Sequence, residues 1–402
     1  MVAGLATGES ITNPDAKFEG AGVKLIKGKA DRVDPKAKMI DLSDGLQIAY
    51  DKLLLGLGAS PVIPTIEGSD LRGVFALRTL SDAENIKSFI EKAKPRKLVF
   101  IGAGFISLEL AALLSICQPH YYDITVVELL GQPLPMMLDS ELGKRLQGYL
   151  AEKGFKMRMC EEVRRLVGED GIVSAVELVG EELIEADMVF LNVGVRPNTK
   201  LAEDIGLEMG KFGIKVNKFL ETSDPDILAA GDCVEKEHFV TKRPIPGQLR
   251  GPAVIQGRLA AKRLAGYEIE FPGVLNNSIV QIFDKSIGSV GLTEEQARKE
   301  GFETVSATVD SRSKHGMIPG TQPWSIKLVF DKKDGRLLGG QILSDDIAPV
   351  KEIDTINALI LGEKTVQDLT VLMCAGTPDC SSEPSLEPIS IAAEQALQKM
   401  RN

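Results

Sequence analysis

Histidine, tryptophan and paired cysteine are scarce in this sequence. Its 402 residues hold three histidines, His120, His238 and His315, and a single tryptophan, Trp324. The five cysteines, Cys117, Cys160, Cys233, Cys374 and Cys380, are scattered, and none forms a C-x-x-C pair. That pattern argues against a disulfide framework and against a zinc site. Positive charge is also in deficit, with 47 Lys and Arg against 57 Asp and Glu, a formal net charge of −10. No block of like charge stands out, so nucleic acid is not an expected partner, because phosphate backbones are gripped by clustered cations. The opening stretch MVAGLATGESITNP has no basic region, and its apolar run is too short for a signal peptide. One apolar window, 98–117, approaches membrane-spanning length. It contains Glu109 and two close glycines, and a strand, a loop and a buried helix explain it better. A cytoplasmic protein without a membrane partner is expected.

What the sequence does have is an ordinary globular composition, 44% hydrophobic and 26% charged, and enough length for two or three domains. Up to about Leu80 it reads as short strands and turns, in GVKLIKGKADRVD and in KMIDLSDGLQIAYDKLLLGLG, with an Asp-Gly hairpin signal. YDKLLLGLGASPVIP reads as a buried strand running into a Gly/Pro-rich turn. Next comes a helix, SDAENIKSFIEKAK, with Ser81 as its expected N-cap and Glu84 completing a capping box. Strand KLVFIG, helix FISLELAALLSI and strand DITVVE follow, a parallel α/β unit. A further helix, SELGKRLQGYLAEKG, leads to strands that end in ADMVFLNVGVRPN. From about Pro272 the pattern turns antiparallel, in NNSIVQIFDKSIGSVG and WSIKLVFDKKDGRLLGGQIL. Helices APVKEIDTINALILG and SLEPISIAAEQALQKM come after, as in an α+β domain.

The loop IGAGFIS carries the first chemistry. Gly102 allows a tight turn after the strand, and Gly104 lets a pyrophosphate approach the backbone at the start of the following helix. Ser107 stands at the third small position. Glu128 ends the next strand, about 20 residues on, where an acidic side chain takes the ribose 2′-hydroxyl and repels a 2′-phosphate. NAD(H) is therefore expected in preference to NADP(H).

TSDPDILAAGDCVE, residues 222–235, is a second strand ending on a tight turn with a carboxylate. With YDKLLLGLGASPVIP and NVGVRPNTKLAE it gives the chain a likeness. It resembles the FAD-dependent pyridine nucleotide–disulfide oxidoreductases, in particular the branch of NADH oxidases and CoA-disulfide reductases, from about Phe18 onward. The resemblance implies an α/β fold with two dinucleotide-binding domains and a C-terminal α+β dimerisation domain. An FAD-binding-type domain, discontinuous and incomplete, would span 1–79 and 198–271; an NAD(P)-binding Rossmann-type domain, 80–197; the dimerisation domain, 272–402. It assigns Gly102, Gly104, Ser107, Glu109, Glu128 and Gly194 to NAD, and Gly58, Gly231, Asp232, Pro252 and Ala253 to FAD. The helix beginning near Gly251 would aim its N-terminus at the flavin ring.

Two departures stand out. Members of that family begin with their own G-x-G-x-x-G unit for the FAD pyrophosphate, followed by a reactive cysteine; this sequence opens past both. Disulfide reductases of the family also carry a His-Pro near the C-terminus with a Glu after it. Here the stretch is CAGTPDCSSEP, with Thr377-Pro378 and then Glu383, and threonine cannot replace an imidazole in proton transfer. Cys374, Cys380 and Glu383 are the remaining catalytic candidates, although C-x5-C is no recognised redox spacing. Cys233 reads as a packing residue, Trp324 as core or interface, and His315 as part of a solvated loop. The implied activity passes hydride from NADH to FAD and on to a small-molecule or redox-protein acceptor, in a homodimer. A flavin-free NAD(H)-binding subunit or sensor stays open beside it.

Overall fold

Apolar runs at 97–101 and 123–128, separated by a helix, fix the central layer of the parallel α/β part. In the computed structural model, which describes residues 1–401, Lys97–Ile101 pairs in parallel with Asp123–Glu128 on one side and with Met188–Leu191 on the other. Lys156–Met159 and Val74–Phe75 complete a five-stranded parallel sheet. Buried on both faces, such strands need continuous hydrophobic stretches. Phe100 and Phe190 stack at 4.5 Å between ring centroids in its core. Helices Leu80–Ala93, Phe105–Cys117 and Ser140–Glu152 belong to this layer. The cap of the first helix falls two residues before the expected Ser81. Thr79 accepts from the Asp82 amide and Asp82 accepts from the Thr79 amide, a reciprocal box worth about 1 kcal/mol.

The chain divides into two compact units. The first takes Ala3–Val62 and Gly194–Val274; the second takes Ile63–Val193 and the residues from Leu275 on. In the first unit, Ala30–Asp34, Met39–Leu42 and Gln47–Ala49 form an antiparallel sheet, and the expected Asp-Gly turn closes its second hairpin. The preceding Val23–Ile26, expected within a strand, is irregular and exposed. Leu53–Leu55 pairs in parallel with Ile227–Ala229. Around that pair Leu55, Ile214, Ile227, Ala229, Cys233 and Val234 make a buried cluster, which places Cys233 as a packing residue.

In the second unit the C-terminal residues form a five-stranded antiparallel sheet, in the order Ser278–Ile282, Lys285–Gly291, Leu337–Ser344, Pro323–Asp331, Thr304–Arg312. Helix Glu352–Leu361 packs directly on strand glycines. A Cβ on Gly288 would lie 2.5 Å from Ile353, and one on Gly340 would lie 3.0 Å from Ile356. Trp324 is buried in this sheet. Among the described residues, no helix is long and apolar enough to cross a membrane.

Candidate functional site: a glycine loop, a Gly-Asp turn and a histidine-glutamate contact

The Gly-rich loop sits at the carboxyl end of the parallel sheet, where ligands of such folds bind. Gly102 has φ +95°, and a Cβ there would lie 2.7 Å from the Asn192 carbonyl, so only glycine fits. Gly104 is different: it caps helix Phe105–Cys117 in extended conformation, no side chain caps that helix, and a Cβ would meet nothing within 4 Å. The loop thus presents uncapped helix amides to an open cradle, the arrangement that receives a phosphate. The absence of a third glycine is accommodated, because Ser107 is buried and its hydroxyl accepts from Asn192 Nδ2 at 3.2 Å. Asn192, at the end of its strand, is a residue that sequence reasoning misses. Its signal is a polar residue closing the apolar run MVFL.

Glu128 lies beside this cradle. One carboxylate oxygen accepts from the Ala103 amide at 2.7 Å and the other from the Leu130 amide at 2.9 Å. It therefore supports the loop. Leu129, Leu130 and Met136 are exposed around it. Glu109 points out of the same helix at its surface, and desolvation raises its carboxyl above the ordinary range.

In the first unit the structure brings together most of the residues assigned to flavin. Gly231, at φ +87°, opens the turn after strand Ile227–Ala229, and Ala253 is its nearest neighbour, 3.8 Å from the position of a Cβ. Pro252 is buried in the first turn of helix Arg250–Leu264, which has no side-chain cap. The Gly231 amide donates to Gln256 Oε1 at 2.9 Å, and the Gly231 carbonyl accepts from Lys236 Nζ at 2.7 Å. Gly58 has φ +68° and its carbonyl accepts from the Asn198 amide. Gly194, at φ +121°, accepts from the Val62 amide. An open glycine turn at a strand's carboxyl end, facing an uncapped helix start, fits the ribityl and phosphate part of a flavin nucleotide.

The chain belongs to the pyridine nucleotide-disulphide oxidoreductase family. A model of that family matches residues 5–253, and its dimerisation domain matches 278–386. An NADH oxidase of Methanocaldococcus jannaschii is 37% identical over 374 residues, 92% of this chain and 81% of that one. An NAD(P)H coenzyme A polysulfide/persulfide reductase of Pyrococcus horikoshii is 30% identical, covering 96% of this chain and 87% of its own length. Among solved structures, a NAD-dependent persulfide reductase from A. fulgidus superposes with a TM-score of 0.93 at 29% identity, over 100% of this chain and 75% of that one. The family is one of NAD(P)H-dependent flavoprotein oxidoreductases, and the two-domain flavoprotein fold with a C-terminal dimerisation domain is the one expected.

The three catalytic candidates near the C-terminus, Cys374, Cys380 and Glu383, lie in an exposed segment. Cys374 and Cys380 are both free and exposed. Although the Cys374 side chain reaches solvent, partial desolvation, with the Glu387 and Glu352 carboxylates adding to it, pushes its thiol up to about 11, away from the reactive thiolate. Cys374 lines a cavity of about 370 Å³ together with Met373, Glu387 and Glu394. Glu383 has a neighbour far from it in sequence. His315 Nε2 lies 3.6 Å from its carboxylate, and the His315 amide donates to the Pro378 carbonyl. The loop expected to be merely solvated is thus tied to the CAGTPDCSSEP segment.

Proposed function

We propose that this chain is an NADH-dependent flavoprotein oxidoreductase, acting as a homodimer through residues 278–386. NADH binds at the Gly102–Gly104 loop and FAD at the Gly231–Asp232 turn, and a disulfide, a persulfide or oxygen is the acceptor. The domain division follows the same reading, with 1–79 and 198–271 serving the flavin, 80–197 the nicotinamide nucleotide and 272–402 the dimer. The observation that carries it is the open cradle at Gly104 beside Glu128. When bound, the flavin supplies the two-electron chemistry between nicotinamide and acceptor. The chain's residues bind and orient: helix amides at 105–107 take the pyrophosphate, Glu128 the ribose, and exposed Leu129 and Leu130 offer an apolar face to the adenine.

Preference for NADH rests on Glu128 and on how the nearby cation is engaged. Arg158, on the adjacent strand, is held by Glu182 in a bidentate pair and by Glu161 at 3.2 Å, so it is committed elsewhere. Glu128→Gln is expected to weaken NADH binding about tenfold, the worth of a charged hydrogen bond, and to narrow discrimination against NADPH. Titrations giving unchanged affinities for both nucleotides would remove Glu128 from the site.

The experiment that tests the proposal is a visible absorption spectrum of the purified chain, reconstituted with FAD, before and after anaerobic NADH. A flavin spectrum that bleaches is the expected result. A chain that binds NADH yet takes up no FAD would overturn the flavin half and leave an NAD(H)-binding subunit or sensor.

A further inference from the structure

Lys236 is the most deeply buried cation in the first unit, at 2% exposure, and beyond its hydrogen bond to the Gly231 carbonyl no role has been given to its charge. Burying an ammonium is costly unless its protons and its charge are both answered. Its acceptors are two neutral carbonyls, Gly231 at 2.7 Å and Val234 at 3.4 Å. Burial pushes the ammonium below the ordinary lysine range, and the nearby Asp232 carboxylate opposes that shift. The fold makes room for the stem. A Cβ on Gly247 would lie 2.6 Å from Lys236 Cδ, so the approach to helix Arg250–Leu264 passes over the lysine without a side chain of its own.

The ammonium therefore lies at the carboxyl end of strand Ile227–Ala229, under the turn that faces the uncapped helix start. It holds the Gly231 carbonyl while Gln256 holds the Gly231 amide, so side chains fix both polar groups of this glycine. Gln248, just before the helix, has a buried Nε2 with no partner among the described residues, a further donor at the same end. Asp232 brings a negative charge to a place meant for a diphosphate, which two anions would make repulsive. A buried cation alongside answers it.

We propose that Lys236 is a positioning residue of the flavin site, locking the Gly231–Asp232 turn and offsetting the Asp232 charge, so that the anionic cofactor binds and accepts electrons more readily. This rests on the flavin reading above. Removing the charge leaves the site one unit more negative, which weakens FAD binding and disfavours two-electron reduction, both in the same direction.

The test uses the whole chain reconstituted with FAD, with Lys236→Gln, Lys236→Met and, as an independent displacement of the lysine, Gly247→Ala. FAD affinity and the two-electron midpoint potential are read, with NADH affinity as a check on folding. Glutamine keeps a donor for the Gly231 carbonyl but carries no charge. Lys236→Gln is expected to make reduction at least about tenfold less favourable, about 30 mV more negative, with FAD affinity falling several-fold. Lys236→Met should show the same potential shift and a larger loss of affinity. Gly247→Ala should move both in the same direction by less. Wild-type potentials in Lys236→Gln and Gly247→Ala would reduce Lys236 to a packing residue and overturn the proposal alone. A wild-type chain that takes up no FAD would overturn it together with the flavin reading.

Discussion

Gly104→Val is expected to abolish NADH binding while leaving the chain folded. At most positions such a substitution confounds ligand and fold, but here the two separate. Gly104 has φ −75°, which valine adopts, and a Cβ built on it meets no protein atom within 4 Å. The cost to the helix is that of a poor N-cap, about 1 kcal/mol or less. The space the isopropyl group enters is the space a pyrophosphate must cross to reach the helix amides. A loss of at least about 100-fold in affinity, close to 3 kcal/mol, should follow. Gly102 supplies the contrast. At φ +95° and with the Asn192 carbonyl 2.7 Å from its Cβ position, Gly102→Ala strains the backbone and displaces a strand end, and it should destabilise the fold itself. Isothermal titration with NADH, beside a thermal melt, reads both effects. Affinity of Gly104→Val within about twofold of wild type would remove the loop from the site.

That asymmetry between two glycines two residues apart is invisible in the sequence, where both match one motif. The motif and the elements around it are legible because strand Lys97–Ile101, helix Phe105–Cys117 and strand Asp123–Glu128 are local, each set by its own apolar run. Features that depend on partners far along the chain are not legible. Thr79 displaces Ser81 as the helix cap because Asp82 answers it as well as Glu84 would answer Ser81, and both patterns stand in TLSDAE. Strand Thr304–Arg312 is hard to read although Val305, Ala307 and Val309 alternate with polar residues, since its inward side chains are small and its partner strand begins at Pro323. Residues 23–26 have a strand-like composition, yet no ladder partner takes them among the described residues. Nothing in the sequence marks Lys236 and Lys327 as buried, because charge on a strand normally faces water. Their surroundings come from other parts of the chain, Gly247 beside one and Asp139 and Glu294 beside the other. His315 meets Glu383 only through the juxtaposition of two loops about 70 residues apart.

Lys327 carries the second large effect. It lies in the middle of strand Pro323–Asp331, its side chain 5% exposed, with its ammonium 3.2 Å from Asp139 and 3.0 Å from Glu294. Asp139, just before helix Ser140–Glu152, also accepts from the Glu294 and Glu295 amides and from Gln341 Nε2, while its own amide donates to Gln341. The network therefore joins the nucleotide-binding layer to the C-terminal sheet within the second unit. Burial is the largest single influence on Asp139 and raises its carboxyl. The Glu294 amide, Gln341, Lys327 and the Glu295 amide together outweigh it and leave the carboxyl below the ordinary range. Glu294 is lowered in the same way: burial raises it most, but Ser306 and Lys327 prevail. Lys327 is raised: burial, the largest influence, lowers it, but Asp139 and Glu294 overcome that. Depressed carboxyls contribute stability that is fully present above their unfolded values near 4 and is lost as pH falls through the folded ones. The raised lysine contributes below its unfolded value near 10 and loses this as pH rises beyond it. The network thus works across the window between those limits. Lys327→Met leaves Asp139 and Glu294 close together without their cation, and at neutral pH it should cost about 3–5 kcal/mol, a fall in melting temperature on the order of 10 °C. Without the lysine the two carboxyls hold protons more tightly, so the deficit should shrink as pH approaches about 4 and their charges are neutralised. Denaturant unfolding of wild type and variant at both pH values separates charge from packing. A deficit of equal size at each would mean that the side chain, not its ammonium, holds the two layers together.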